Sequence, residues 1–215
     1  MKIDTRLSFH FRRFLPLLVC LEFVPGLAST AGAQSASFSP QETMASLLQK
    51  GELTLVESRP DSNLKQVTAI TLVKRPVQAV WAVLTDYPGY RKWMPKVAEA
   101  TVLKKGGVSN EVQWEVEVPG PNYRYVGRNT EDPVRYFLQQ EQVSGDLKGS
   151  HWSWQLFPSG PDTTLVYRTV FTHVTGESWI ARQLEDDTHT LSYGINVSTS
   201  LLEVRAVRRA VEQSR

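Results

Sequence analysis

The run from Val77 to Val97, VQAVWAVLTDYPGYRKWMPKV, constrains the fold of this chain more than any other stretch. Pro76 opens a helix where its missing N–H costs nothing. Val80, Val83 and Leu84 then recur at the i, i+3, i+4 spacing of one buried helical face. Asp86-Tyr87-Pro88-Gly89 ends that helix, and Tyr90 to Met94 reads as one more short turn closed by Pro95. Beyond this point the hydrophobic period changes from 3.6 to 2 for most of the remaining chain. That order predicts a curved antiparallel sheet gripping a helix around an apolar pocket.

The strand pattern supports this. Glu111 to Val118 alternates, with Trp114, Val116 and Val118 on one face and Gln113, Glu115 and Glu117 on the other. Pro119 to Asn122 is a turn, Tyr123 to Thr130 a strand, Asp132-Pro133 a break and Tyr136 to Ser144 a strand. His151 to Phe157 places Trp152, Trp154 and Leu156 on one side. Thr163 to Val174 places Leu165, Tyr167, Thr169, Phe171 and His173 together, and we take that side as the inner one; the opposite parity in any strand would exchange its inner and outer sets. From Ser178 onward the pattern is helical, with Leu191, Ile195, Leu202 and Ala206 at helical spacing. Ahead of all this, Ser39-Pro40-Gln41-Glu42 is a capping-box start for a helix to about Lys50. Leu53 to Glu57 and Leu64 to Val73 read as strands around a turn at Pro60 to Asn63. The sum is an α+β chain whose long C-terminal helix covers the apolar face of the sheet.

The first 33 residues stand apart. Lys2, Arg6, Arg12 and Arg13 precede an apolar stretch from Phe14 to Leu27, and Ala31-Gly32-Ala33 supplies small residues for cleavage. This is the pattern of a secretory signal peptide, which implies a periplasmic or secreted protein. Three parts follow: residues 1–33 as signal peptide, 34–63 as an N-terminal helix-and-strand extension, and 64–215 as the main domain. Cys20, the single cysteine, lies in the first part, so residues 34–215 contain no disulfide and no thiolate nucleophile. The net charge of +2 falls to zero once the four cations and two anions of residues 1–33 are removed, which argues against nucleic-acid binding.

Little in the chain announces catalysis. His151, His173 and His189 form no pair on one helix face, so neither a metal site nor a cofactor is expected. His173 either faces the pocket, where an imidazole could act as acid or base, or bonds backbone or water at a frayed strand end. Arg205, Arg208 and Arg209 form a basic patch that could make a transient contact with anionic lipid or simply be solvated.

The block Val80-Trp81-Ala82-Val83-Leu84-Thr85-Asp86-Tyr87, then Tyr90 and Trp93-Met94-Pro95-Lys96-Val97, resembles the START / polyketide cyclase-dehydrase / Bet v 1-like (SRPBCC) superfamily, nearest its coenzyme Q-binding START group. The hairpin His151 to Pro158 followed by Thr163 to Tyr167 resembles the late strands of that family. The resemblance covers about residues 64 to 212. It implies the helix-grip fold, with a hydrophobic tunnel between the sheet and the C-terminal helix. It also implies non-catalytic binding or transport of a hydrophobic, lipid-like small molecule; a polyketide cyclase/dehydratase-type enzyme using a cavity His or Tyr is the alternative. On this frame the expected cavity residues are Trp93, Trp114, Tyr125, Trp154, Tyr167, Phe171, His173, Leu191 and Ile195.

Overall fold

Eight antiparallel strands form one curved sheet in the order β1-β2-β8-β7-β6-β5-β4-β3. We describe it from a computed structural model covering residues 40–59, 64–118, 120–174 and 188–213. The expectations for residues 1–33, for the turn at Pro60 to Asn63 and for the helix start at Ser178 lie outside these residues. The strands are β1 (Leu53–Ser58), β2 (Leu64–Val73), β3 (Val97–Gly106), β4 (Ser109–Val116), β5 (Tyr123–Asp132), β6 (Phe137–Gln142), β7 (His151–Pro158) and β8 (Thr164–Phe171). The helices are α1 (Pro40–Lys50), α2 (Val77–Thr85) and α3 (Thr188–Gln213), with a 3-10 turn at Tyr87–Lys92.

All but one of the strand pairs are sequence neighbours. The exception joins β2 to β8, with Val67 opposite Val170 and Val73 opposite Thr164, and it is what closes the meander into a single sheet. Helix α3 lies against β2 and β8 and meets α2. Val204, Val207 and Val211 of α3 share a core with Val80 and Leu84 of α2, Ala69 and Val73 of β2, and Val166 of β8. Burying a valine or leucine side chain of this kind contributes about 1.5–3 kcal/mol.

The punctuation seen in the sequence has direct structural causes. The Pro76 carbonyl accepts the first α2 hydrogen bond, from Ala79 N at 3.0 Å. The Asp86 carboxylate accepts from Gly89 N at 3.3 Å and starts the 3-10 turn. A side chain at residue 89 would meet Asp86 Oδ2 at 2.1 Å and force the capping carboxylate out of place, so glycine is what lets this cap form. The turn therefore begins at Tyr87, three residues before the sequence places it.

Two features depart from the sequence reading. Strand β3 has no counterpart there. It is an edge strand with only Ala100 buried, so it lacks the alternation that a half-buried strand carries. In β8 the parity is the reverse of the one expected. Thr164, Val166, Arg168 and Val170 are buried toward α3, while Leu165, Tyr167, Thr169 and Phe171 lie on the other face. The inner set contains the arginine, which alternation alone assigns to solvent.

Residues 53–58, assigned above to an extension, form the sheet's edge strand and pair with β2 from Leu53–Ile70 to Ser58–Leu64. Glu52, just ahead of it, ion-pairs with both Arg205 (3.1 Å) and Arg208 (2.7 Å) of α3. Arg208 also donates to Thr71 Oγ1 at 3.3 Å. Two of the three arginines of the basic patch, read from sequence as either solvated or open to anionic lipid, thus fasten α3 to the N-terminal segment, while Arg209 is exposed.

Candidate functional site: a cavity between sheet and C-terminal helix

A cavity of about 490 Å³ lies between the sheet and α3. Its aromatic wall comes from adjacent strands. β4 and β5 pair Trp114 with Tyr125 and Val116 with Tyr123, so these side chains stack on the inner face. Trp114 and Tyr125 are near-parallel, 19° apart with centroids at 6.5 Å; Tyr123 lies 5.6 Å from Tyr125, and Trp152 of β7 lies 5.9 Å away on the other side. Tyr90, delivered by the 3-10 turn, meets Trp114 edge-on at 5.0 Å. Its hydroxyl donates to the Leu84 carbonyl at 2.8 Å, which ties the wall to the end of α2. Trp114 fits because residue 127 is glycine: a Cβ there would stand 2.9 Å from Trp114 Nε1. Met94, Val97 and Val118 line the cavity from the β3 side, and Ile195, Thr199 and Leu202 line it from α3.

A polar cluster crosses this apolar shell. Arg168 of β8 donates through Nε to Glu203 of α3 and through NH1 to Gln140 Oε1 (2.8 Å). Gln140 in turn donates to Asn129 at 3.0 Å. The guanidinium also lies 4.5 Å from the Trp154 ring centroid. Gln142 donates to the Tyr123 hydroxyl (2.6 Å) and to the Ser144 carbonyl (2.9 Å). Arg168, Glu203, Gln140, Gln142 and Tyr125 all border the cavity. Burial raises the Tyr125 phenol well above the ordinary tyrosine range; nearby Glu203 adds to this and Arg168 opposes it. The phenol is therefore protonated at any physiological pH and serves as a hydrogen-bond donor.

Of the residues expected to form the site, Trp114, Tyr125 and Ile195 line the cavity. Trp93 packs behind Tyr90, with ring centroids 4.6 Å apart. Trp154 points inward as expected but is fully buried, with Arg168 lying over its ring. Tyr167 and Phe171 face the other side of the sheet, where Tyr167 meets Phe157 edge-on and Phe171 lies 5.0 Å from His151. His173 is exposed, its backbone N–H donating to Ser150 Oγ at 2.7 Å, and it does not border the cavity. Leu191 is half-buried on α3 outside the lining.

Sequence reasoning missed Arg168, Glu203, Gln140 and Gln142. The two glutamines share the buried face of β6 with Leu138, so polar and apolar residues mix on that side and no clean alternation marks it as the inner one. The Arg168–Glu203 pair joins a strand to a helix and has no local signature. Trp152 did carry a signal, since it shares the inner face of β7 with Trp154. Among the described residues there is no cluster of His, Cys, Asp or Glu suited to a metal ion, and no helix is long and apolar enough to cross a membrane.

An antiparallel sheet wrapped on a long C-terminal helix, with an apolar cavity between them, defines a helix-grip α+β protein. The family model described as polyketide cyclase / dehydrase and lipid transport matches residues 73–185, and the chain belongs to that family. Solved structures share the fold at low sequence identity. An aromatase/cyclase from a Streptomyces species is 21% identical, covering 69% of this chain and 94% of its own, with a TM-score of 0.55. A STAR-related lipid transfer protein from Xanthomonas axonopodis is 22% identical, covering 76% of this chain and 95% of its own, with a TM-score of 0.56. A START superfamily protein from Mycobacterium smegmatis is 18% identical, covering 70% and 99%, with a TM-score of 0.52. No curated protein matches the chain.

Proposed function

We propose that this protein binds or carries a hydrophobic small molecule in the cavity between the sheet and α3, without covalent chemistry. The observation that supports this most is the cavity itself: about 490 Å³, walled largely by Trp114, Tyr125, Trp152 and aliphatic side chains and crossed by the polar cluster around Arg168 and Glu203. Preformed apolar pockets of this size gain affinity by removing ligand surface from water, and isolated polar groups fix orientation. The relative described as a lipid transfer protein points the same way. A quinone, the ligand class of the coenzyme Q-binding START group, belongs among the candidates. The signal-peptide-like pattern of residues 1–33 supports a periplasmic or secreted location for this activity.

Native mass spectrometry of the protein purified from its own compartment, followed by organic extraction, tests the proposal. A stoichiometric hydrophobic adduct is expected, on a chain that begins near Gln34. A protein that arrives empty and refuses lipid, quinone and aromatic probes would overturn it.

A second reading rests on the titratable groups at the cavity. Glu203 and Tyr125 border it together, and a structural relative is an aromatase/cyclase. On this reading the acid/base groups are these two and not His173, which stands outside the cavity. Turnover of a linear polyketide thioester to a cyclised product, lost in Tyr125→Phe while binding persists, would favour it.

A further inference from the structure

The outer face of the sheet, turned away from α3, changes character partway across. On β4 and β5 it carries Glu111, Glu115, Arg124 and Arg128, with Arg124 and Glu115 ion-paired at 2.7 Å. That is the polar-out pattern of an antiparallel sheet with one covered face. On β7 and β8 the pattern fails. Their outward positions hold no Asp, Glu, Lys or Arg, and they carry Phe157, Leu165, Tyr167 and Phe171. Phe157 stands opposite Leu165 and meets the Tyr167 ring edge-on at 5.5 Å, so these side chains form one band. Phe157 is 47% exposed, and Leu165, Tyr167 and Phe171 are only half-buried. This is the band that made both faces of β8 look fit for burial. On β2, beside β8, the same face is closed: Thr68 and Ile70 are buried, and α1 packs on this strand. Helix α1 makes no comparable contact with β8 or β7, and its own Met44 and Leu47 stay exposed.

We infer that this band is the contact surface for a second copy of the chain, packed sheet on sheet about a twofold axis. An uncharged face offers nothing to a nucleic acid or to a charged peptide, and it sets no like charges against each other when it meets its own copy. A twofold axis asks only for one self-complementary patch. Aromatic side chains hold the centre and charge is confined to the rim, with Glu141 and Arg128 3.6 Å apart on one side and Glu57 and Lys65 3.3 Å apart on the other. That is the anatomy of a protein–protein interface. Strands β6 to β8 offer about 400 Å² of face at ~4.8 Å between strands and ~3.3 Å per residue. The exposed side of α1 raises this to about 500 Å². Two copies then bury about 1,000 Å², the lower bound for a specific interface. The dimer is therefore reversible, with a dissociation constant in the micromolar range. The band and the cavity lie on opposite faces of the sheet, so the two readings stand or fall separately.

Sedimentation velocity of the purified protein from about 1 to about 500 µM tests this. The average mass should rise from one chain toward two across that range. Phe157→Lys places a like-charged pair in the contact and should weaken association about tenfold or more. Leu47→Lys, at an exposed helix position, is the second variant should Phe157→Lys fail to fold, and it should also weaken association. Val134→Lys, at an exposed apolar residue away from the band, should leave association unchanged. Circular dichroism and thermal unfolding confirm that each variant is folded. A protein that stays monomeric throughout, or an association that survives both Phe157→Lys and Leu47→Lys, overturns the inference. A monomer that co-sediments with neutral phosphatidylcholine vesicles, and loses this in Phe157→Lys, overturns it in favour of a lipid surface.

Discussion

The guanidinium of Arg168 lies 4.5 Å from the ring centroid of Trp154 and separates that indole from the cavity. The arrangement divides the inner face of the sheet into a structural part, where Trp154 is buried, and a cavity-facing part, where Trp152, Tyr125 and Trp114 stand.

The two tryptophans of β7 should therefore answer differently to truncation. Trp154→Ala should cost about 3–5 kcal/mol of stability, the usual range for emptying a buried aromatic position. Trp152→Ala should cost far less stability, because Trp152 is only partly buried, and should weaken binding of an aromatic probe. Denaturant unfolding and fluorescence titration on both variants check this. Equal stability losses would contradict the division.

Arg168 and Glu203 should behave as a unit. Removing one partner leaves a buried charge uncompensated, at about 3–5 kcal/mol. Arg168→Met should be strongly destabilising, and the double variant Arg168→Met, Glu203→Leu less so than either single change. A double-mutant cycle by thermal unfolding reads the coupling directly; additive effects would mean the two charges do not sense each other.

Gly127 is the position that admits Trp114. In Gly127→Ala the new methyl meets the indole nitrogen, where 2.9 Å separates them before any shift. The expected result is a displaced Trp114 ring, about 1–3 kcal/mol of lost stability and weaker probe binding. An unchanged probe affinity with unchanged Trp fluorescence would remove Trp114 from the cavity wall.

Glu52 supplies a pH-dependent restraint on α3. Burial pushes its carboxyl up, but a backbone hydrogen bond and the Arg205 and Arg208 cations outweigh that and leave it below its ordinary value of 4.5. A lowered folded-state pKa means the contribution is fully present above pH 4.5 and is lost as pH falls below it through the folded pKa. Glu52→Gln should remove about 1 kcal/mol at neutral pH and flatten the acid limb of the stability profile. Profiles of equal slope for the two proteins would assign the restraint elsewhere.

Much of this architecture is written locally. Proline and glycine punctuation, the 3.6-residue spacing of Val80 and Leu84, and the alternation around Trp114 and Trp152 predict α2, the turn after it, most strands and the closing helix, because each depends on neighbours in sequence. They also predict that Trp114, Tyr125 and Ile195 share one interior. Three things needed the tertiary structure. Strand β3 is an exposed edge, so solvent on both faces erased its pattern. The inner face of β8 was decided by pairing with β2 and β7: Val166 and Val170 alternate with Leu165, Tyr167 and Phe171, so both sets are apolar enough to be buried, and a shift of one residue exchanges them. Finally, Arg168 is stable inside only because Glu203, Gln140 and Trp154 arrive from a helix and two other strands. Sequence periodicity reports how each segment divides between water and core, whereas the partners that make a buried charge tolerable are set by contacts between distant segments.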